Sequence, residues 1–169
     1  MGEKSYPNIT AVNEQDEVIG YFQLFDAIAK GYSRRISAIF VLDEQERILI
    51  QRRAANVLSP NLLDFSAAGH VNEGDDYVST ARAELSEELG IQGVELVQLA
   101  PPFKTSGFYN AVFKVCVSSS IVFNTNADEV AKVIWVPFEE LISMIEQHPQ
   151  QFSEPFLAAW PFIRDKISL

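Results

Sequence analysis

Glu84, Glu87 and Glu88 lie within five residues of one another. With residues Tyr77–Leu89 as a helix, advancing about 100° per residue, Val78, Ala81, Leu85 and Leu89 share a narrow arc and form the expected buried stripe. Glu84 and Glu88 then fall together on one border of that stripe, a single turn apart, and Glu87 turns further towards solvent. Carboxylates at i and i+4 sit roughly 5–6 Å apart and repel unless a cation lies between them. Ligands that are all oxygen select a hard ion, Mg2+ or Mn2+, over zinc. A solvated acidic helix face would use the same residue types, so the flanking residues have to decide.

Ala67-Ala68-Gly69-His70 reads as a strand end, Gly74-Asp75-Asp76 as a loop with an acidic helix start, and Gly90 as the residue that closes the helix. Residues 69–91 resemble the Nudix box, G-x5-E-x7-R-E-U-x-E-E-x-G-U with U aliphatic. Gly69, Glu84, Leu85, Glu87, Glu88, Gly90 and Ile91 match in register, seven of nine fixed positions. Asp75 stands where the pattern has Glu, which keeps the charge and shortens its reach. Ala83 stands where it has Arg, one turn before Glu87, so a cation that would pair with Glu87 is missing. Arg82 points to the other side of the apolar stripe and is a poor substitute.

The resemblance covers nearly the whole chain. Residues 12–53 look like the lead-in of the Nudix branch that contains isopentenyl-diphosphate isomerase, and ADEVAKVIWVPFEEL looks like a closing strand and helix of Nudix domains. It implies an α+β protein with the Nudix fold, an α/β/α sandwich around a mixed β-sheet. It also implies a Mg2+-dependent hydrolase (Mn2+ also serving) that cleaves a phosphoanhydride bond in a nucleoside, or other organic, diphosphate linked to a further group. Glu84, Glu87 and Glu88, with the Ala68 carbonyl, would hold the metal. Glu87, Glu88 and Glu129 are the catalytic candidates, the proton of the attacking water passing to Glu87 or Glu129. Two other activities stay in view. Ala83 motivates a non-catalytic, nucleotide-binding module. The lead-in invites isopentenyl-diphosphate isomerase, whose chemistry calls for a cysteine where this chain has Ala68 and for more histidines than His70 and His148.

Arg52 and Arg53 end the strand before the box and are the basic pair best suited to bidentate phosphate binding. Arg34 and Arg35 begin the preceding strand, which suggests opposite ends of one hairpin. Lys104 sits among aromatics in a loop suited to a lid, and the stretches 54–63 and 101–109 are the expected specificity loops. His70 is expected to be a satisfied loop or core residue and His148 to end a helix.

The remaining features bound the setting. A chain of 169 residues with 47% hydrophobic content is long enough for one domain with a core. Its net charge of −10 disfavours non-specific nucleic-acid binding. The small diphosphate-containing partner that the resemblance implies would have to be drawn by local positive charge. No run approaches 18 apolar residues and the start MGEKSYPNIT lacks an apolar leader core, so no membrane association and a cytoplasmic setting are expected. Cys116, the one cysteine, sits in an apolar run and is expected in the core. Oligomeric state stays open, a homodimer included.

The order of elements is expected to be a hairpin over 10–22, a short helix ending at Gly31, and a second hairpin turning at 43–46. A strand entering the box, the box helix, and strands over 94–100, 110–117 and 133–136 follow. Last come a helix opened by Pro137 and one capped by Ser153 that Pro161 kinks or splits. Residues 1–34 are expected to form an N-terminal extension packed on a Nudix domain of 35–169.

Overall fold

The computed structural model describes residues 6–167; the extreme N-terminal residues discussed above as a leader lie outside them. One strand organises the sheet. β3 (Ser33–Asp43) alternates residues between two buried faces, Ile36, Ala38, Phe40 and Leu42 on one and Ile39 and Val41 on the other. A strand covered on both sides must read as a continuous apolar run, and ISAIFVL does.

β9 (Phe108–Val117) runs parallel to β3 along its length, from Arg34↔Phe108 to Asp43↔Val117. The other edge of β3 is shared in succession. β1 (Ile9–Val12) pairs at Ser33 and Arg34, β6 (Ala67–His70) pairs antiparallel at residues 36–39, and β4 (Arg47–Arg53) pairs only through Leu42↔Ile48. β4 then leaves to pair with β10 (Val130–Pro137) and with the two-residue β5 (Leu63–Asp64). Ser66 holds the fork where β3 and β4 part: its Oγ accepts from Val41 N at 2.8 Å and donates to Leu49 O at 2.5 Å. β2 (Val18–Phe22) completes the N-terminal hairpin on β1, while β7 (Val97–Gln98) and β8 (Phe103–Thr105) add to β9. The N-terminal hairpin is thus continuous with the main sheet.

Helices cover both faces. α2 (Tyr77–Leu89) packs Ala81, Leu85 and Leu89 on Ile39, Val41, Leu49, Phe113 and Val115. On the other side lie α3 (Phe138–Gln147) and α4 (Glu154–Ile163). There Phe156 meets Phe65 at 5.1 Å, Phe152 at 5.1 Å, Trp160 at 5.7 Å and Phe40 at 6.0 Å. The short α1 (Leu24–Ala29) ends ahead of Gly31. This is the α+β, α/β/α sandwich with a mixed sheet. Among the described residues, no helix is long and apolar enough to cross a membrane.

Several expectations need correction. Val78 is 42% exposed although it shares the arc of the buried Leu85 and Leu89, since it lies in the first turn of α2, while Thr80 is buried instead. Cys116 is exposed; it lies on the Lys114 side of β9 near the strand end, between buried Val115 and half-buried Val117. Pro161 does not split α4, which is continuous through it; Ser153 caps the helix as expected, its Oγ accepting from Phe156 N at 3.3 Å. The strand expected over 94–100 shrinks to β7, and Lys104 lies in β8 rather than in a free loop.

Phe156 is fully buried and touches aromatics from three other segments. Phe156→Ala is expected to destabilise the protein by about 3–5 kcal/mol, read as a lower urea midpoint.

Candidate active site

α2 is built to present its acidic edge. Asp76 caps its start: its Oδ1 accepts from Ser79 N at 2.7 Å while Ser79 Oγ accepts from Asp76 N at 2.9 Å. Gly90 ends it at φ +71°, a left-handed conformation that favours glycine. A side chain at Gly90 would also come 2.8 Å from Asn124 Cβ. That closeness lets residues 124–129 lie on the helix end, where Asn124 N donates to Leu89 O at 3.0 Å and Asn126 N to Glu88 O at 3.1 Å. The same segment carries Glu129, whose Oε1 accepts from Asn126 Nδ2 at 2.8 Å.

Glu84 lies against Gly69. A Cβ at Gly69 would fall 1.8 Å from Glu84 Oε1, so only glycine leaves room for this carboxylate beside β6. Glu88 is buried, 4% exposed, and its Oε2 accepts from Gln51 Nε2 at 3.0 Å. Gln51 Oε1 is buried and has no hydrogen-bond partner among the described residues. Glu87 faces solvent. Burial raises the Glu84 carboxyl from 4.5 to about 7, with the Glu87 and Glu129 charges adding to the effect. Burial likewise pushes Glu88 well above the usual range, reinforced by Glu84, Glu129 and Asp64, while Gln51 acts the other way. Glu84, Glu87, Glu88 and Glu129 therefore form one electrostatic group.

All these side chains offer hard oxygen donors, and the glycine-lined space and the shared excess of negative charge fit a hard divalent cation such as Mg2+ or Mn2+. Among the described residues, no three acidic, histidine or cysteine side chains already converge as a finished ligand set. Like charges keep the carboxylates apart, and Glu88 is turned to Gln51.

Strand alternation puts Gln51 and Arg53 on one face of β4 and Arg52 on the other. Arg53 Nη1 pairs with Asp64 at 3.0 Å and its Nε donates to Leu58 O at 2.8 Å. Arg52 Nη1 donates to Asn61 O at 2.6 Å, so it pins the 54–62 loop. Asp64 is buried and its carboxyl is raised by that burial, which Arg53 opposes. Arg35 is engaged elsewhere, with Asp16 at 2.8 Å. Arg34 and Arg53 both act on the half-buried His70 ring, whose pKa desolvation and these two cations lower to about 4. The arginine pairs thus share the open end of the hairpin, as antiparallel geometry requires, and do not lie at opposite ends. Arg82 donates to Val94 O at 3.2 Å, away from the glutamates, and Ala83 is exposed. Lys104 forms an ion pair with Glu14. His148 follows α3 directly, as expected.

Gln51, Asp64 and Asn126 were not among the sequence candidates. The first two carried a signal: a polar residue at an inward position of a strand, and a lone acid within Leu62-Leu63-Asp64-Phe65. Asn126 carried none.

The family model described as the NUDIX domain matches residues 31–159. The chain belongs to the Nudix family. It is 32% identical over 156 residues to the Nudix hydrolase YfcD of Escherichia coli strain K12, covering 90% of this chain and 85% of that one. It is 28% identical over 170 residues to an isopentenyl-diphosphate Delta-isomerase of Haloarcula marismortui, covering 94% and 89%. Among solved structures it is similar to DR0079 of Deinococcus radiodurans, with a TM-score of 0.73, 27% identity and coverage of 83% of this chain and 90% of that one. Its hydrolase relatives mark this Nudix protein as an enzyme of the hydrolase type.

The raised Glu84 pKa ties stability to pH. Folding binds this proton more tightly than the unfolded chain does, so the contribution is complete below about 4.5 and is lost as pH rises through about 7. At 1.36 kcal/mol per unit the loss from this group is roughly 3 kcal/mol. With divalent ions chelated, the urea midpoint is expected to fall between pH 5 and 8. Glu84→Gln should flatten that fall, and Mn2+ at pH 8 should raise the wild-type midpoint. Identical pH profiles for the two proteins would contradict the electrostatic assignment.

Proposed function

We propose that this Nudix protein hydrolyses a phosphoanhydride bond in an organic diphosphate linked to a further group. Glu84, Glu87 and Glu88, together with the Ala68 carbonyl, are the proposed holders of Mg2+, with Mn2+ as a substitute. The observation that carries this reading is the pair of carboxylates one turn apart, Glu88 buried and Glu84 half-buried and set against Gly69. A divalent ion at that edge supplies neutralisation of diphosphate charge and a more acidic water.

The chain's own residues do the rest. Gln51 holds Glu88 in orientation through its Nε2. Arg53, anchored by Asp64 and the Leu58 carbonyl, presents the rest of its guanidinium to a phosphate oxygen. Arg52 supports the loop beside it. Glu129, exposed and electrostatically joined to Glu84 and Glu88, is the proposed acceptor of the proton released as water attacks phosphorus, with Glu87 as the other carboxylate in reach of solvent. Isomerisation of a five-carbon diphosphate is the weaker reading. Ala68 offers no thiol beside Gly69, and Cys116 pairs with Leu42, six residues along β3 from the partner of His70.

The test is a screen with Mg2+ over nucleoside di- and triphosphates, dinucleoside polyphosphates, sugar nucleotides and coenzyme A, following phosphate or nucleotide release. Glu88→Gln should lower turnover about a hundredfold or more. Gly69→Ala should do the same while melting close to wild type, since what its Cβ displaces is the far end of a flexible side chain. Equal turnover by wild type and Glu88→Gln overturns the site assignment.

A further inference from the structure

The sheet leaves one edge bare at its N-terminal end. Among the described residues β2 pairs with β1 alone, and it ends the strand path β10-β4-β3-β1-β2. Unpaired N–H and C=O groups along such a strand invite another chain, and proteins blunt the hazard with charge. β2 reads VIGYF and carries no charge. Its register with β1 slips once, Val12 facing Val18 and Ala11 facing Gly20. Ile19, 47% exposed, is therefore the extra residue of a bulge, and Gly20 to Phe22 is the regular part of the edge.

Large apolar side chains flank that edge on both sides. Register sets Val18 and Tyr21 on the side of Val12 and Thr10, and Gly20 and Phe22 on the side of Ala11 and Ile9. The end of α1 lies on the second side, where the Phe22 ring is 5.1 Å from Tyr32 and Lys30 Nζ sits 4.6 Å over it. α1 buries Ala27 and leaves Phe25, 70% exposed, and Ile28 outward, three residues apart on one face. Five of the eleven exposed large hydrophobics among the described residues thus fall between Val18 and Ile28, which is concentration and not scatter. Together they expose on the order of 500 Å2, the apolar share of a standard interface, which is roughly 60% of about 800 Å2 per partner.

We propose that a second copy of this chain covers this edge, the two β2 strands meeting antiparallel about Tyr21 with the two α1 helices antiparallel on one side of the joint sheet. A two-fold contact presents one patch twice, so the patch must complement itself. This one does. The unpaired backbone groups of one β2 meet those of the other, and the apolar side chains on either side of the edge meet their own kind. The charges agree as well. Asp26 makes no ion pair among the described residues, and Lys30, one turn on, rests over Phe22. The two-fold turns the Asp26 end of each helix towards the Lys30 end of the other. A lipid surface or a nucleic acid is the poorer occupant, because Glu14, Asp16 and Glu17 adjoin the strand and the net charge is −10. The inference is independent of the activity proposed above.

Sedimentation velocity of the full chain across the micromolar range tests it. Wild type should sediment as a dimer at the top of that range. Tyr21→Lys and Phe25→Glu should each raise the dimer Kd about thirtyfold or more and keep the wild-type circular dichroism, since both side chains are exposed. A cross-link reads the geometry directly. In a Cys116→Ser background, Tyr21→Cys should oxidise to a disulfide-linked dimer, because position 21 faces itself across the two-fold. Val97→Cys, exposed on β7, should stay uncoupled. A wild type that is monomeric at every concentration overturns the inference, including the case in which it binds anionic vesicles instead. A dimer that survives both charge substitutions overturns it too, for another face then holds it together. Equal cross-linking at positions 21 and 97 does the same.

Discussion

Two carboxylates held one helical turn apart, Glu88 buried and Glu84 half-buried, set the constraint on which the structure depends. Each is disfavoured as an anion by burial and again by its neighbours, so the arrangement stores a tendency to take up a proton or a cation. The protein holds it in place from several directions. The Asp76–Ser79 capping box and Gly90 fix where α2 begins and ends. Residues 124–129 bind its last carbonyls and bring Glu129 alongside. The bare Cα of Gly69 admits Glu84, and Gln51 holds Glu88. A change in any of these alters the charge geometry before it alters the fold.

The space for that geometry comes from the uneven edge of β3. If β4 paired with β3 throughout, Gln51 and Asp64 would sit within an unbroken ladder. Instead a single rung joins them, Ser66 bridges the fork, and β6 takes the middle of β3. On the β4–β5 side of that fork lie Gln51, Arg53 and Asp64, and on the β6 side Gly69 and His70. The hydrophobic layers on both faces hold it open, because α2 and the α3–α4 pair pack on strands that cannot shift without losing buried contacts.

Much of this was legible in the chain. The bounds of α2, its cap, its closing glycine and the pairing of Glu84 with Glu88 follow from periodicity and local chemistry, and the run from Ile36 to Leu42 is unambiguous as a central strand. Where local patterns are short or contested, they misled. Val78 is apolar and in phase with Leu85 and Leu89, yet it lies in the first turn of α2 and stays exposed. Pro161 marks a break, yet Phe156, Ala159, Trp160 and Ile163 bury a face that keeps α4 whole. Ala83 in place of the family's arginine could be seen at once; that Arg82 points away from Glu84 and Glu88 could be expected from its angle, whereas its bond to the Val94 carbonyl could not.

The sequence by itself determined the family, the acidic edge of one helix and the alternation that builds the sheet, because these depend on residues within a turn or two of each other. Only the tertiary structure decided that Gln51, Asp64 and Glu129 gather at that edge. Such a grouping joins residues tens of positions apart through strand register and the splitting of a sheet edge, and neither leaves a period in the chain.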